Sequence, residues 1–285
     1  MPELTNIAYI RALLERHGFS FSKKLGQNFL IAPTVCPRMA EACGATTDSG
    51  VLEIGPGIGV LTRELAKRAG KVAAVELDDR LLPVLDETLA DCGNVTVIHG
   101  DVLKLDLHRL LAEQFGGMRV SVCANLPYYI TSPIVMALLE SRLPVDSITV
   151  MVQREAAQRL CAAPGTRACG AVTLAVAYYA ETERLFEVSR GSFLPAPNVD
   201  SSVIRLKVRP RPPVEAADEA LLFRVIRGAF GQRRKTLLNA VSAAGFAKDA
   251  VAAAMDAASV PPTARAEQLT LAQFAAVANA LHSSE

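Results

Sequence analysis

No Cys-x-x-Cys pair occurs among the six cysteines (Cys36, Cys43, Cys92, Cys123, Cys161 and Cys169), and most of them sit in apolar or alanine-rich surroundings. That argues against a zinc or disulfide framework and fits a reduced, cytosolic protein. The four histidines (His17, His99, His108 and His282) fall at no metal-ligand spacing, so no metal is expected. The chain opens without a signal-peptide core, and no apolar run reaches membrane-spanning length. A soluble, cytoplasmic protein with no membrane partner is expected. An excess of charge is missing too: 30 basic residues face 29 acidic ones, a formal net of +1. Any affinity for nucleic acid must then come from local clustering. There is no internal repeat, and low complexity appears only as alanine enrichment near the C-terminus. What is present is 285 residues, 51% of them hydrophobic, enough for one large α/β domain with a smaller appendage.

The most informative stretch is Asn125-Leu126-Pro127-Tyr128, at the end of the apolar run Met118–Ala124. A run of this kind closing in an Asn-x-Pro turn reads as a buried central strand of an α/β sheet. The exocyclic amine of a nucleobase is a poor nucleophile, because its lone pair is delocalised into the ring. An Asn side-chain oxygen and a nearby backbone carbonyl can accept both amine hydrogens and bias the nitrogen toward a tetrahedral, nucleophilic form. Neither acceptor needs a perturbed pKa. Pro127 fixes φ, lacks an N–H and holds Leu126 extended, so the carbonyls of the turn can converge on one spot. Tyr128 can stack on the flat base.

Upstream, Thr5–His17 reads as an amphipathic helix stopped by Gly18, and a helix is expected from Pro33 to about Cys43. Between them lies a glycine-containing loop with Lys23 and Lys24, either a solvated surface loop or a cap whose lysines face phosphates. The first strand, Val51-Leu52-Glu53-Ile54, runs into Gly55-Pro56-Gly57-Ile58-Gly59 and a helix bearing Leu61, Leu65 and Ala69 on one face, with Gly70 as its expected stop. Glycines there let the backbone approach a ligand. The second strand, Val72–Val75, ends in Glu76, about 20 residues past the glycine turn, where a carboxylate can accept both ribose hydroxyls. A dinucleotide site asks for G-x-G-x-x-G, and Val60 stands where its third glycine belongs. A nicotinamide enzyme is thereby disfavoured.

The third strand, Val95–Ile98, ends in Gly100-Asp101, an acid placed to accept from an adenine amino group. Gly55, Glu76, Asp101 and Asn125 thus close four successive strands at the carboxyl edge, where open α/β sheets bind ligands. The ordered set describes a site for an adenosine-bearing cofactor with a reactive group aimed at a planar amine. S-adenosylmethionine fits it.

Beyond that edge come a helix from Ser132 to about Glu140, a strand Ser147–Val152, and helices Arg154–Cys161 and Ala171–Ala180. A strand Arg184–Val188 follows, then a rigid loop Ser192–Pro197 in which Phe193 either stacks on a base or packs in the core. Val203–Arg209 alternates, with Arg205, Lys207 and Arg209 on its outer face. Pro210-Arg211-Pro212-Pro213 marks the expected boundary between a domain of residues 1–210, with its N-terminal helix and cap loop in 1–45, and an all-helical domain of residues 211–285. Its helices are expected at Asp218–Phe230, Arg234–Ala244, Lys248–Ala258 and Leu271–Leu281. From Ser201 to Ala240 nine basic residues oppose three acidic ones, a local +6. Lys23, Lys24, Arg205, Lys207, Arg227, Arg233, Arg234 and Lys235 are the candidate phosphate contacts.

From about Lys24 to Ala266 the chain resembles the ribosomal RNA small-subunit adenine N6,N6-dimethyltransferases of the KsgA type. The resemblance lies in Leu25-Gly26-Gln27-Asn28-Phe29-Leu30, Glu53-Ile54-Gly55-Pro56-Gly57, Val75-Glu76-Leu77-Asp78, Gly100-Asp101 and Asn125-Leu126-Pro127-Tyr128-Tyr129. It continues through Phe193–Ser201, Phe230–Thr236 and Arg265-Ala266-Glu267. Asn198 and Gly231 depart from that pattern, at one RNA contact and one turn. The resemblance implies an α/β, Rossmann-like S-adenosylmethionine-dependent methyltransferase, with a mostly parallel seven-stranded sheet whose last strand is antiparallel, plus a small all-helical C-terminal domain. It carries the cofactor site to Asn28, Leu30, Gly55, Glu76, Asp101 and Asn125, and the base pocket to Asn125, Leu126, Tyr128 and Phe193.

The resemblance implies dimethylation of two adjacent adenines in the 3′-terminal hairpin loop of 16S ribosomal RNA, in the immature 30S subunit, and a monomer is expected. Direct in-line transfer is the expected mechanism, with the target base out of its stack between Tyr128 and Phe193. The cofactor motifs also suit the large-subunit adenine methyltransferases of macrolide resistance, and the basic surface suits a non-enzymatic ribosome-assembly factor. A DNA adenine methyltransferase would more often carry Asp-Pro-Pro-Tyr.

Overall fold

Runs of small and β-branched apolar residues, separated by helix-length segments, build a parallel sheet covered on both faces. The computed structural model of the chain, which describes residues 4–22 and 26–283, has such a sheet. Helix α1 (Ile7–Arg16) and the two-residue strand β1 (Phe29–Leu30) precede α2 (Val35–Ala42). Strand and helix then alternate through β2 (Ser49–Ile54), α3 (Val60–Ala66), β3 (Lys71–Glu76), α4 (Leu82–Thr88), β4 (Val95–His99), α5 (Leu107–Phe115), β5 (Arg119–Asn125), α6 (Thr131–Glu140) and β6 (Ser147–Gln153). Helices α7 (Arg154–Leu160) and α8 (Ala171–Tyr179) lead to β7 (Ala180–Val188), the short β8 (Phe193–Leu194) and β9 (Ser201–Val208). The remaining helices are α9 (Glu219–Gly231), α10 (Leu237–Ala243), α11 (Lys248–Ala257) and α12 (Leu271–His282).

The seven-stranded sheet has the order β4-β3-β2-β5-β6-β9-β7. Strands β2 to β6 pair in parallel, and β9 runs antiparallel to β6. This is the Rossmann-like α/β class read from the sequence. From β2 the chain goes outward to β3 and β4, then returns to β5 on the other side of β2. The switch of direction opens a crevice at the carboxyl ends of β2 and β5, where Gly55 and Asn125 stand.

The chain divides into two compact units, one running to Ala157 and including Thr182–Val208, the other made of Gln158–Glu181 and the chain from Arg209. The first unit ends at Val208, and Gln158–Glu181 groups with the second unit. Aromatic packing is the reason. Tyr178 and Tyr179 of α8 lie 5.2 and 5.7 Å from the Phe223 ring of α9, and both hydroxyls donate to Glu219. Composition along the chain carries no trace of that partnership.

Two local expectations also change. Gly70 does not end α3, which stops at Ala66 with Lys67 at its C-cap. It sits where a Cβ would collide with the Thr47 carbonyl. Helix α10 begins at Leu237, three residues late, because Thr236 caps it by accepting from the Asn239 N–H. Arg233, Arg234 and Lys235 therefore lie in the turn before the helix.

Candidate active site

The carboxyl ends of β2, β3, β4 and β5 open on one cleft of the first unit, with an empty volume of about 1190 Å³, open solvent included. Asn28, Leu30, Gly55, Glu76, Asp101, Asn125, Leu126, Tyr128 and Phe193 all line it. Every cofactor and base-pocket residue assigned from the sequence is thus on a single surface.

The turn after β2 needs its glycines. Gly55 and Gly57 have φ of 69° and 62°, a region that side chains with a Cβ avoid. The Gly55 N–H donates to the Val75 carbonyl at 2.9 Å, which ties the turn to β3. A Cβ on Gly55 would meet nothing within 4 Å, so the backbone there faces open space. At the end of β3, Glu76 is buried; its Oε2 accepts from the Gly57 N–H at 3.2 Å and its Oε1 from the Asp78 N–H at 2.9 Å. Burial raises its pKa above the usual carboxylate value, and the backbone bonds oppose that rise. Asp101, half-buried after β4, accepts from the Leu103 N–H at 3.1 Å.

Glu53 belongs to this cleft and was not singled out by the sequence. It is 1% exposed, its Oε2 has no hydrogen-bond partner among the described residues, and burial pushes its pKa up to about 8. The signal was an acid inside the otherwise apolar run Val51-Leu52-Glu53-Ile54.

A strap crosses the cleft. Its strand β1 pairs antiparallel with β8, setting Leu30 opposite Phe193. The Gln27 amide donates to Asp78 Oδ2 at 2.6 Å, and its oxygen accepts from the Ser22 N–H at 2.9 Å. Arg80 grips the same Asp78 at 2.6 and 2.8 Å, and its guanidinium holds that carboxyl below its ordinary pKa. Lys23 and Lys24 of this loop lie outside the described residues.

The turn after β5 presents acceptors. The Leu126 N–H continues the ladder by donating to the Met151 carbonyl at 3.2 Å. The Pro127 carbonyl is taken by the Ile130 N–H and by Thr131 Oγ1, each at 3.2 Å. Asn125 Nδ2 donates to the Asn28 carbonyl at 3.4 Å. Among the described residues nothing donates to Asn125 Oδ1 or to the Leu126 carbonyl. Tyr128 is half-buried, its hydroxyl 2.7 Å from Ser201 Oγ, and burial raises its pKa. Phe193 is 3% exposed and sits in the apolar cluster with Leu30 and Met39, so its ring backs the wall of the cleft instead of standing free.

The basic residues do not form one set. Arg205 Nη2 reaches Glu183 at 2.6 Å and Arg209 Nη1 reaches Glu181 at 3.0 Å, both glutamates lying on β7. The outer face of β9 is therefore largely neutralised, and only Lys207 stays exposed there without an ion pair among the described residues. Charge counted along the chain misses partners on a neighbouring strand. In the second unit Arg233 donates to the Arg167 and Cys169 carbonyls, each at 3.2 Å, whereas Arg227, Arg234 and Lys235 are exposed with no ion pair among the described residues.

Among the described residues no helix is long and apolar enough to cross a membrane, and no group of three or more His, Cys, Asp or Glu could hold a metal ion. A family model described as ribosomal RNA adenine dimethylase matches residues 18–283. The chain belongs to that family. With membership comes the enzyme class, an adenine dimethyltransferase acting on ribosomal RNA, and the nicotinamide and DNA methyltransferase alternatives fall away. Two similar relatives are both named ribosomal RNA small subunit methyltransferase A. The one from Bacillus cereus (strain AH187) is 51% identical over 286 residues, covering 99% of this chain and 98% of the relative. The one from Geobacillus sp. (strain WCH70) is 48% identical over 276 residues, 95% of each chain. Among solved structures, the 23S rRNA methyltransferase ErmE is 30% identical with a TM-score of 0.69, over 90% of this chain and 100% of that one. A dimethyladenosine transferase from Plasmodium falciparum shares the fold, with a TM-score of 0.73 at 23% identity over 87% of this chain and 95% of that one.

Proposed function

We propose that the protein uses S-adenosylmethionine to dimethylate N6 of two adjacent adenines in the 3′-terminal hairpin loop of 16S ribosomal RNA, within the immature 30S subunit, in the cytoplasm and as a monomer. The observation that carries this reading is the pair of acceptors left unengaged among the described residues, Asn125 Oδ1 and the Leu126 carbonyl, on residues lining a glycine-bearing cleft. Identity near 50% to the two small-subunit enzymes, against 30% to the large-subunit one, supports the small-subunit substrate.

The residues present suit the cofactor. The open space above Gly55 admits a ligand with no Cβ in the way, and the Glu76 carboxylate suits ribose hydroxyls. Asp101 suits an adenine amino group, and Asn28, Leu30 and Asn125 complete the set that would hold it. When bound, S-adenosylmethionine supplies a methyl group already activated by sulfonium charge. The chain's own part is positional. Asn125 Oδ1 and the Leu126 carbonyl accept hydrogen bonds from the amine, two in the first transfer and one in the second, and turn the nitrogen lone pair out of the ring. Tyr128 supplies a flat face for the swung-out base, and buried Phe193 forms the wall behind it. Arg227, Arg234, Lys235 and Lys207 supply phosphate contacts, with Lys23 and Lys24 as further candidates on the strap loop.

Incubation with labelled S-adenosylmethionine and small subunits lacking these methyl groups, followed by digestion, tests the reading. N6,N6-dimethyladenosine at two adjacent positions is the expected product. Run in parallel on large-subunit RNA, the same assay should give no label; label there and none in the small subunits would replace this substrate with the other.

A further inference from the structure

Tyr128 and Tyr129 are neighbours in the chain with opposite surroundings. Tyr128 is half-buried with its hydroxyl at Ser201. Tyr129 is 57% exposed, more than any other large hydrophobic side chain among the described residues, although it lines the same cleft. Its hydroxyl makes no hydrogen bond among the described residues. A ring left largely in water at the mouth of a pocket needs a reason, because aromatic surface is favourably buried.

The ring is nonetheless braced. A Cβ built on Gly26 would stand 3.3 and 3.4 Å from Tyr129 Cδ1 and Cε1 and 3.8 Å from Pro127 Cβ. The strap at Gly26 therefore stands beside the ring, and a side chain there would press the ring by a few tenths of an ångström. Gly26 also has φ of 59°, which independently favours glycine. Gly26 of the strap flanks the Cδ1–Cε1 side of Tyr129, and more than half of the residue is exposed where it lines the pocket.

We infer that Tyr129 is a stacking platform for a nucleobase flanking the methylated adenine, a base subsite of the RNA outside the catalytic pocket. This rests on reading the cleft as the pocket for an extruded adenine. An RNA strand that gives up one base to the Asn125 turn must run across the rim, and the neighbouring base loses a stacking partner when the target leaves. A braced phenol ring next to the pocket restores one. Stacking asks only for a π-face, so the subsite tolerates any base and adds affinity without altering the salt dependence.

The test uses an RNA hairpin carrying 2-aminopurine either at the target position or at each flanking position, with S-adenosylhomocysteine present. The wild-type protein and Tyr129→Phe should quench the probe at one flanking position. Tyr129→Ala should lose that quenching and bind the hairpin about tenfold to a hundredfold more weakly. It should keep the target-position signal, the salt slope and the affinity for S-adenosylhomocysteine. Unchanged binding and flanking quenching in Tyr129→Ala would overturn the inference. So would loss of S-adenosylhomocysteine affinity along with the RNA signals, since Tyr129 would then serve only to prop the strap. A wild-type protein that leaves the target-position probe undisturbed would overturn the pocket reading itself, an outcome separate from the other two.

Discussion

Asn125 directs its amide nitrogen at the Asn28 carbonyl 3.4 Å away, and both residues line the cleft. With Nδ2 engaged, the oxygen is left as an acceptor, the polarity that a nucleobase amine requires. A strap residue thus engages one end of a side chain on the central sheet.

Asn125→Ala should lower the rate of methyl transfer by at least about 100- to 1000-fold, the usual effect of deleting one positioned polar group at a reacting centre. RNA binding should remain largely intact. Single-turnover transfer measured beside filter binding of the RNA checks this, and equal loss of both would mean that residue 125 has another role.

Gly55→Ala combines two costs. The residue would be held at φ of 69°, at about 1–2 kcal/mol of strain, and its Cβ would project into the open cleft. Thermal stability should fall modestly while calorimetric affinity for S-adenosylmethionine falls steeply. A variant that melts early but binds normally would show that the space above Gly55 is not where the cofactor lies.

Glu53 gives the fold a pH dependence of definite sign. Its folded pKa is raised by burial to about 8, above its ordinary value of 4.5. Its contribution is fully present below about pH 4.5 and is lost as pH rises toward 8, by up to about 1.4 kcal/mol per unit. Glu53→Gln should be more stable than the wild type at pH 7.5 and similar to it near pH 4.5, as read from urea unfolding at both pH values. A difference independent of pH would mean that the carboxyl stays ionised in the fold.

The three adjacent basic residues before α10 should separate on mutation. Arg234→Ala with Lys235→Ala should weaken RNA binding and make the slope of log affinity against log salt shallower by about 1.5, with melting unchanged. Arg233→Ala should instead cost about 1 kcal/mol of stability, because it removes the donors to the Arg167 and Cys169 carbonyls. The opposite assignment of the two effects would refute this division.

What the sequence made legible was local. The glycine turn, Glu76, Asp101 and the Asn125 turn each follow directly from a strand, so spacing alone placed them at one edge. What it concealed depends on distant partners. The bond from Asn125 to Asn28 spans 97 positions and that from Tyr128 to Ser201 spans 73. Arg205 reads as an outward cation until β7 sets Glu183 beside it. Helix α8 reads as part of the first domain until Tyr178 and Tyr179 find Phe223. Pairings of this kind leave no periodicity to detect. Family resemblance supplied Asn28 and Leu30, which no spacing argument reached.

Strand β9 lies between β6 and β7 in the sheet but comes after both in the chain. A polypeptide leaving the ribosome residue by residue therefore carries β6 with a bare flank until Val208 has emerged. Ser147–Val152 of that strand are all buried in the finished molecule, so the bare flank is a sticky ledge for as long as synthesis of the next three strands takes. Met151 of the same strand lines the cleft, so the wall it forms is completed only when this late arrival has wedged itself home.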